Sequence, residues 1–353
     1  MAGLSRVVAT SASHGPGPNE RSACIADLLR CGRIGPALRA AFQSPACVNA
    51  MYLEHFGFQE FPFSITPGTK FFFGSQTSQE ALNTLQVAVT MGEGFMKVTG
   101  EVGTGKTLLC RKLIASLGEE YKVAYILNPY LEPLALFAEL ASELGIPRAH
   151  GWGDRRQYQI LDILKQRVLE LNKEGKRVVI CLDEVQAMPI ETLEALRLLS
   201  NLETENRKLL QVIIFGQPEL EERLNHHSIR QLRQRITFHY QLKPLTKAEF
   251  AYYIQHRLSV VGYGRGQLFT PMALWLLGRK SKRIPRLINI LANKALLSAY
   301  GKGQRLVQLG DVMRAVKDTD ALGSAVEKFP MVLFLGSLMT VTALMAYKWM
   351  SLP

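Results

Sequence analysis

Gly100, Gly105, Lys106 and Thr107 stand at the fixed positions of G-x-x-x-x-G-K-[ST] within the run "GEVGTGKT". That spacing suits a phosphate tail: glycines let successive backbone N–H groups turn toward an anion, a lysine reaches the outer phosphates, and a threonine hydroxyl meets magnesium. The expected binding stretch is therefore Gly100, Glu101, Val102, Gly103, Thr104, Gly105, Lys106 and Thr107, with ATP and Mg2+ as cofactors and Thr107 as a metal ligand. Chance produces the pattern in roughly one chain in a hundred of this length. Context narrows that reading, because a strand-like apolar run precedes the motif and a helix-like run follows it, with an N-terminus that favours anions.

Binding alone is not hydrolysis, which needs acidic groups near the phosphate. The run "RVVICLDE" places Asp183 and Glu184 at the carboxyl end of an apolar strand, where ligands of open α/β sheets sit. Asp183 suits the magnesium shell, and Glu184 suits a base that polarises the attacking water. An Asp-Glu pair after a strand is by itself most often a solvated turn; here it follows Lys106 by 77 residues (183 minus 106), at the end of the third strand. Gln217 closes the fourth strand and is placed to position that water and sense the γ-phosphate, the alternative being a helix-capping role before Pro218. Asn128, closing the second strand, is a candidate for holding Glu184 away from the water until a partner binds.

Arginines complete the set. "SIRQLRQRITF" sets Arg230, Arg233 and Arg235 before the fifth strand, a good place to reach a neighbouring subunit's phosphate in trans. Arg235 is the first candidate and Arg233 the second; simple pairing with the acidic run "PELEER" is the alternative. Arg286 of "IPRLIN" opens a later helix and is expected to contact the γ-phosphate.

These residues need a scaffold, and the hydrophobic pattern supplies one. Strand-like runs are "GFMKVT" (94–99), "YKVAYIL" (121–127), "RVVICL" (177–182), "LLQVIIF" (209–215) and "ITFHYQL" (236–242). Amphipathic stretches such as "PLALFAELASELG" and "IETLEALRLLSNLETEN" separate most of them, which implies a parallel sheet covered on both faces. After Leu242 the strands stop: Thr246 and Glu249 form a capping box, and helical patterns continue to about residue 320. The expected organisation is an α/β nucleotide-binding domain over 51–242 and an all-helical domain over 243–320.

Both ends differ from this middle. Residues 1–50 are rich in Gly, Pro, Ala and Ser and read as a disordered leader, or as an over-extended start with Met51 the true one. Phe329–Tyr347 is a run of 19 residues without a charge, bracketed by Lys328 and Lys348. At about 1.5 Å per residue such a helix just crosses a hydrocarbon layer of roughly 30 Å, so a transmembrane helix is expected, with a buried C-terminal helix as the alternative. Arg305, Arg314, Lys317 and Lys328 outnumber Lys348, which leaves the large N-terminal part in the cytoplasm.

Composition sets outer limits. In 353 residues the formal charge is +12, which points to an anionic partner such as nucleic acid, phosphate or an acidic membrane face. That excess is diffuse, with "GRKSKRIPR" (278–286) the only local concentration, a sequence that suits a solvated helix face. Five cysteines (Cys24, Cys31, Cys47, Cys110 and Cys181) show no pairing pattern, which argues against a disulfide framework.

Taken in order, "GEVGTGKT", "LDEVQ", "FGQPEL", "LRQRI" and "IPRLIN" resemble the AAA+ ATPases of the general secretion pathway A type. "MYLEHFGFQEFPFSITPGTKFFF", from Met51, is similar to the segment with which those proteins begin, and the resemblance runs to about Asp318. "GQPEL" together with "PRLIN" is its specific part. Gly68 stands where the family usually carries Asp, and Arg283 where it usually carries Gly. Longer members continue into a periplasmic peptidoglycan-binding domain, so the shorter MSHA pilus biogenesis form is the nearer pattern.

The resemblance implies an α/β P-loop NTPase of AAA+ type, with a five-stranded parallel sheet flanked by helices, a helical lid and a C-terminal transmembrane helix. It further implies a bacterial inner-membrane ATPase, its ATPase domain cytoplasmic, that assists assembly of a type IV pilus or a type II secretion complex. Its partners would be further copies of itself, supplying an arginine finger in trans, and membrane proteins of the pilus or secretion system. Two other readings compete. A DNA-associated AAA+ ATPase of the transposition-regulator type explains the basic charge, but the sequence holds no recognisable helix-turn-helix and a membrane span fits it poorly, so nucleic acid is not the expected partner. A non-hydrolysing nucleotide-gated scaffold is opposed by Glu184.

Overall fold

The computed structural model describes residues 45–66, 68–147, 157–199 and 208–319. The five apolar runs become β1 (Phe95–Gly100), β2 (Tyr121–Ile126), β3 (Arg177–Leu182), β4 (Leu210–Gly216) and β5 (Ile236–Leu242). Every neighbouring pair is parallel, in the order β2-β3-β4-β1-β5. Their composition follows from position. β1 and β4 lie inside the sheet with both faces covered, so every residue in them is buried, and the three polar ones, Lys97, Thr99 and Gln211, each meet a hydrogen-bond partner. β5 is an edge strand and alternates half-buried with exposed side chains until Leu242.

Side chains that alternate along the strands feed two cores. One face (Met96, Val98, Cys181, Ile213, Phe215) packs on α2 (Gln76–Met91) and α3 (Lys106–Ser116). The other (Phe95, Ile180, Leu182, Val212, Ile214) packs on α4 (Pro133–Glu143), α5 (Gln157–Lys173) and α6 (Ile190–Leu199). A sheet sandwiched in this way presents its ligand crevice outside the carboxyl ends of its strands. Short helices α7 (Glu219–Leu224) and α8 (Arg230–Arg235) fill the crossover from β4 to β5.

Beyond Leu242 the described elements are helices: α9 (Lys247–Val260), α10 (Pro271–Lys280), α11 (Pro285–Gly301) and α12 (Leu309–Lys317). α9 begins with the expected capping box, in which the Thr246 hydroxyl accepts from the Glu249 N–H and the Glu249 carboxylate accepts from the Thr246 N–H. A third core joins these helices to the start of the described chain. Tyr52 and Phe56 of α1 (Pro45–Phe56), with Phe58, Phe63 and Phe71, pack against Tyr253, Ile254 and Leu291. The aromatic-rich stretch after Met51 is therefore the inner wall of the helical unit, held by rings at centroid distances of 5.3 to 6.3 Å.

Of the segment expected as a leader, residues 1–44 lie outside the described residues, and α1 already runs from Pro45. No helix among the described residues is long and apolar enough to cross a membrane, and the span expected over 329–347 lies outside them. Cys110 and Cys181 are buried free thiols.

Candidate nucleotide site

The loop after β1 is shaped by glycine. At Gly100 a Cβ would lie 2.8 Å from the Thr104 Oγ1 and 3.0 Å from the Leu242 Cβ, so only glycine lets the strand turn there. Gly103 and Gly105 adopt φ of +84° and +103°, the left-handed region that a side chain resists. Glu101 and Val102 are exposed at the loop's outer edge, while Thr104 is buried and turns its hydroxyl to the Glu101 carbonyl at 2.9 Å. Gly105 caps α3 without a side-chain bond, which leaves the N–H groups of the first turn facing outward for an anion.

Lys106 is only 4% exposed, and its Nζ donates to the carbonyls of Gly100 (2.7 Å) and Glu101 (3.2 Å). Those carbonyl oxygens take the contacts that phosphate oxygens would make. Burial holds the lysine below its ordinary pKa, and the charges of Glu184 and Asp183 oppose that shift. The six residues of β3 carry the chain to Asp183, 1% exposed, whose Oδ2 accepts from the Thr107 hydroxyl at 2.6 Å. Burial pushes the Asp183 carboxyl upward, against the pull of the Thr107 hydroxyl and the Glu184 N–H. A hydroxyl and a carboxylate in contact form a hard-oxygen pair that fits magnesium. Among the described residues no three His, Cys, Asp or Glu converge on one point, so such an ion would take its other ligands from phosphate and water, its usual mode.

Glu184 sits at φ +52°, and its Oε2 accepts from Gln186 Nε2 (2.6 Å) and Gln217 Nε2 (3.1 Å). Burial alone would raise its pKa, yet the two amides, with Lys106 and Arg286, hold it below the ordinary Glu value. Gln217 thus turns its side chain to the acidic pair, while its carbonyl, not its amide, meets the first turn of α7. Asn128 is exposed and accepts from the Tyr130 N–H at 3.1 Å; the donors found on Glu184 are glutamines instead.

Arg286 belongs to the first turn of α11, lines the same cleft, and donates its peptide N–H to the Gly103 carbonyl at 3.2 Å. Arg235 does not join this chain's own site. It ends α8 one residue before Ile236, which is registered against Phe95 at the start of β1. Five residue steps of about 3.3 Å separate that end from the phosphate loop, roughly 17 Å. Arg233 donates to Asn225 Oδ1 at 2.6 Å, and Arg230 is exposed. Glu221 of the acidic run is engaged by Lys97 at 2.5 Å.

Sequence spacing did not reach the other end of the cleft, a space of about 340 Å³ between the loop and the helical unit. Phe71, Phe73, Tyr253, Arg257 and Asn289 line it from segments far apart in the chain. Arg257, 4% exposed, donates to the carbonyls of Pro62 (2.7 Å) and Ser64 (2.8 Å) and lies 4.2 Å over the Phe71 ring. Tyr253 donates its hydroxyl to Asn289 Oδ1 at 2.8 Å. An apolar wall with a few placed polar groups suits a flat aromatic base.

A parallel sheet of this order, a glycine-rich loop after its first strand, an acidic pair after the third and a helical unit leaning on the loop define an AAA+ P-loop NTPase. The AAA domain family model matches residues 89–224. General secretion pathway protein A of Aeromonas hydrophila is 41% identical over 272 residues, which are 77% of this chain and 49% of that protein. The chain belongs to the AAA+ proteins of the general secretion pathway A type, and it spans about half the length of that relative. Among solved structures, the fold is similar to Cdc6p of Pyrobaculum aerophilum (TM-score 0.54, 19% identity, 68% of this chain and 66% of that one). It is also similar to the ORC2 protein of Aeropyrum pernix (TM-score 0.52, 19% identity, 69% and 67%). At that identity the likeness is one of fold.

Proposed function

We propose that the chain is a magnesium-dependent ATPase whose hydrolysis cycle assists assembly of a type IV pilus or a type II secretion complex at the bacterial inner membrane. The observation that carries the enzymatic part is the 2.6 Å contact between Thr107 and Asp183, with Glu184 next in the chain and Lys106 buried beside them. Thr107 and Asp183 are the residues that would hold Mg2+. Such an ion would supply positive charge to offset the charge of the phosphate tail. Lys106 gives up its carbonyl contacts to phosphate oxygens, and the N–H groups of residues 100–107 close around the tail. Glu184 takes a proton from the attacking water; its Oε2 holds both amides, so among the described residues Oε1 carries no donor and is the oxygen for that proton. Gln217 orients the water, and Arg286 brings the helical unit to the γ-phosphate. Arg235 serves the site of an adjoining copy, because its own loop lies at the far end of β1.

The partner class and location rest on the relative's printed role in secretion and on the apolar run 329–347 as the anchor. ATP turnover of Glu184→Gln against wild type tests the chemistry, and equal rates would overturn the base assignment. Fractionation of the full chain beside a version ending at Lys328 tests the anchor, which fails if both stay out of the membrane fraction. The net charge of +12 favours one second reading, a DNA-associated ATPase. Retention on DNA that falls steeply with salt would select it.

A further inference from the structure

The run "LDEVQ" ends on Gln186, a side chain that the roles above leave unused. It makes two hydrogen bonds at once: Oε1 accepts from the Gln217 peptide N–H at 2.9 Å, and Nε2 donates to Glu184 Oε2 at 2.6 Å. A peptide N–H can only donate, so the oxygen end must face Gln217 and the NH2 end must face Glu184. Chemistry therefore fixes the direction of this amide.

Its surroundings hold it there. Arg223 Nη1 donates to the Gln186 carbonyl at 2.7 Å, Nη2 donates to the Met188 carbonyl, and the Arg223 Nε is buried without a partner. The arginine is thus committed to the turn that carries Gln186. Opposite, Gly216 gives room, since a Cβ there would lie 3.3 Å from Gln186 Oε1 and 2.6 Å from Leu220 Cδ2. Glu184 itself is held in a left-handed conformation, with its carbonyl accepting from the Ala187 N–H at 3.0 Å.

We propose that Gln186 is a positioning residue: it sets the Glu184 carboxylate and ties it to the peptide of Gln217, so that movement of the loop after β4 is delivered to the base through one side chain. This rests on Glu184 as base and Gln217 as the group that meets the γ-phosphate. An amide donating to a carboxylate makes a charge-assisted bond, stronger than the neutral bond at its other end. Both donors occupy Oε2, which leaves the other oxygen of Glu184 for the proton of the attacking water. A displacement of the Gln217 peptide toward phosphate draws Gln186 with it and turns the carboxylate in the same step.

Two substitutions separate this role from a mere prop for the loop. Gln186→Glu keeps an oxygen for the Gln217 N–H but turns a carboxylate toward Glu184; Gln186→Leu removes both bonds. The expected result is a kcat about tenfold or more lower in both variants, with the dissociation constant of a fluorescent ATP analogue within about twofold of wild type. Wild-type turnover in Gln186→Glu would overturn the proposal, since a prop needs only the retained oxygen. A second measurement needs no turnover. In nucleotide-free protein, Gln186→Glu lowers the melting temperature by setting two carboxylates face to face, and adding Glu184→Gln restores most of the loss by reversing the pair. Absence of that recovery overturns the contact. An inactive wild type would sink the ATPase reading, and the melting pair would still decide whether Gln186 governs Glu184.

Discussion

The Arg286 peptide N–H donates to the Gly103 carbonyl, so the first turn of α11 rests on the phosphate loop itself. The fit is close enough that a Cβ on Gly103 would stand 2.4 Å from the Arg286 Cβ. Gly103 also has φ +84°, where a side chain costs about 1 kcal/mol. Gly103→Ala therefore pushes the helical unit off the loop. Affinity for an ATP analogue is expected to fall about tenfold or more, while the sheet, whose core this residue does not touch, unfolds within a few degrees of wild type. Fluorescence titration and thermal melting read the two effects separately.

Asp183 shows a conflict between stability and function. Its carboxyl is pushed upward by burial, so its charged form is less favourable in the fold than in the unfolded chain. By linkage, a carboxyl raised in the fold contributes stability that is fully present below its unfolded-state value and is lost as pH rises through the folded one, so at neutral pH the buried charge weighs against the fold. Asp183→Asn removes the buried charge and keeps the shape, with the amide able to accept from the Glu184 N–H and donate to the Thr107 hydroxyl. Without nucleotide, the variant is expected to melt about 2–4 °C higher at neutral pH, as about 1 kcal/mol gives in a domain of this size. Its magnesium-dependent turnover is expected to be lost. Calorimetry with and without Mg2+ and ATP checks both halves.

How much of this was readable from the residues depends on distance along the chain. The loop, the acidic pair and the five strands were legible because each is a contiguous stretch whose pattern is local: a glycine spacing, or an apolar run at the length of a strand. Arg283, where the family usually carries glycine, has φ +57°, which accounts for the glycine. The arginine is accommodated by donating its Nε to the Leu245 carbonyl at 2.9 Å and accepting from the Leu245 N–H. Contacts made across the fold were not legible. Asn128 has the right residue type at the end of a strand, but its side chain closes on its own turn, and Gln186, two residues past Glu184, takes the contact on that carboxylate. The end of the cleft away from the loop joins Phe71 to Asn289 across more than two hundred residues, and nothing in either neighbourhood marks the pairing.

Asp311 anchors the last two helices of the described chain. It is fully buried and accepts from Lys302 (2.5 Å), Ser298 (2.8 Å) and the Gln308 N–H (3.0 Å). Burial alone would raise its pKa, but these donors, Lys302 first, hold it below the ordinary Asp value. The carboxylate therefore stabilises the fold above the unfolded-state value, and that contribution is lost as pH falls through the folded one. Asp311→Asn is expected to lose on the order of 2 kcal/mol at neutral pH. The gap between it and wild type should close below about pH 4, in a series of melting curves across pH.

Arg235 lies half-buried at the amino-terminal edge of the sheet, and the phosphate loop lies at the carboxyl edge, so one chain cannot bring the two together. If the arginine serves an adjoining copy, the defect of one variant can be supplied by another. Arg235→Ala keeps an intact loop, and Lys106→Ala keeps an intact arginine. Each alone is expected to hydrolyse ATP at least about a hundredfold more slowly than wild type. Mixed in equal amounts and allowed to exchange subunits, half the loops are intact and half of those meet an intact arginine. Turnover should then recover to about a quarter of the wild-type rate, given an arginine supplied in trans. Both variants must first elute as wild type does and melt within a few degrees of it, because a half-buried arginine also packs. A mixture that stays as slow as its components, with subunit exchange established by a fluorescent label, would remove Arg235 from the site.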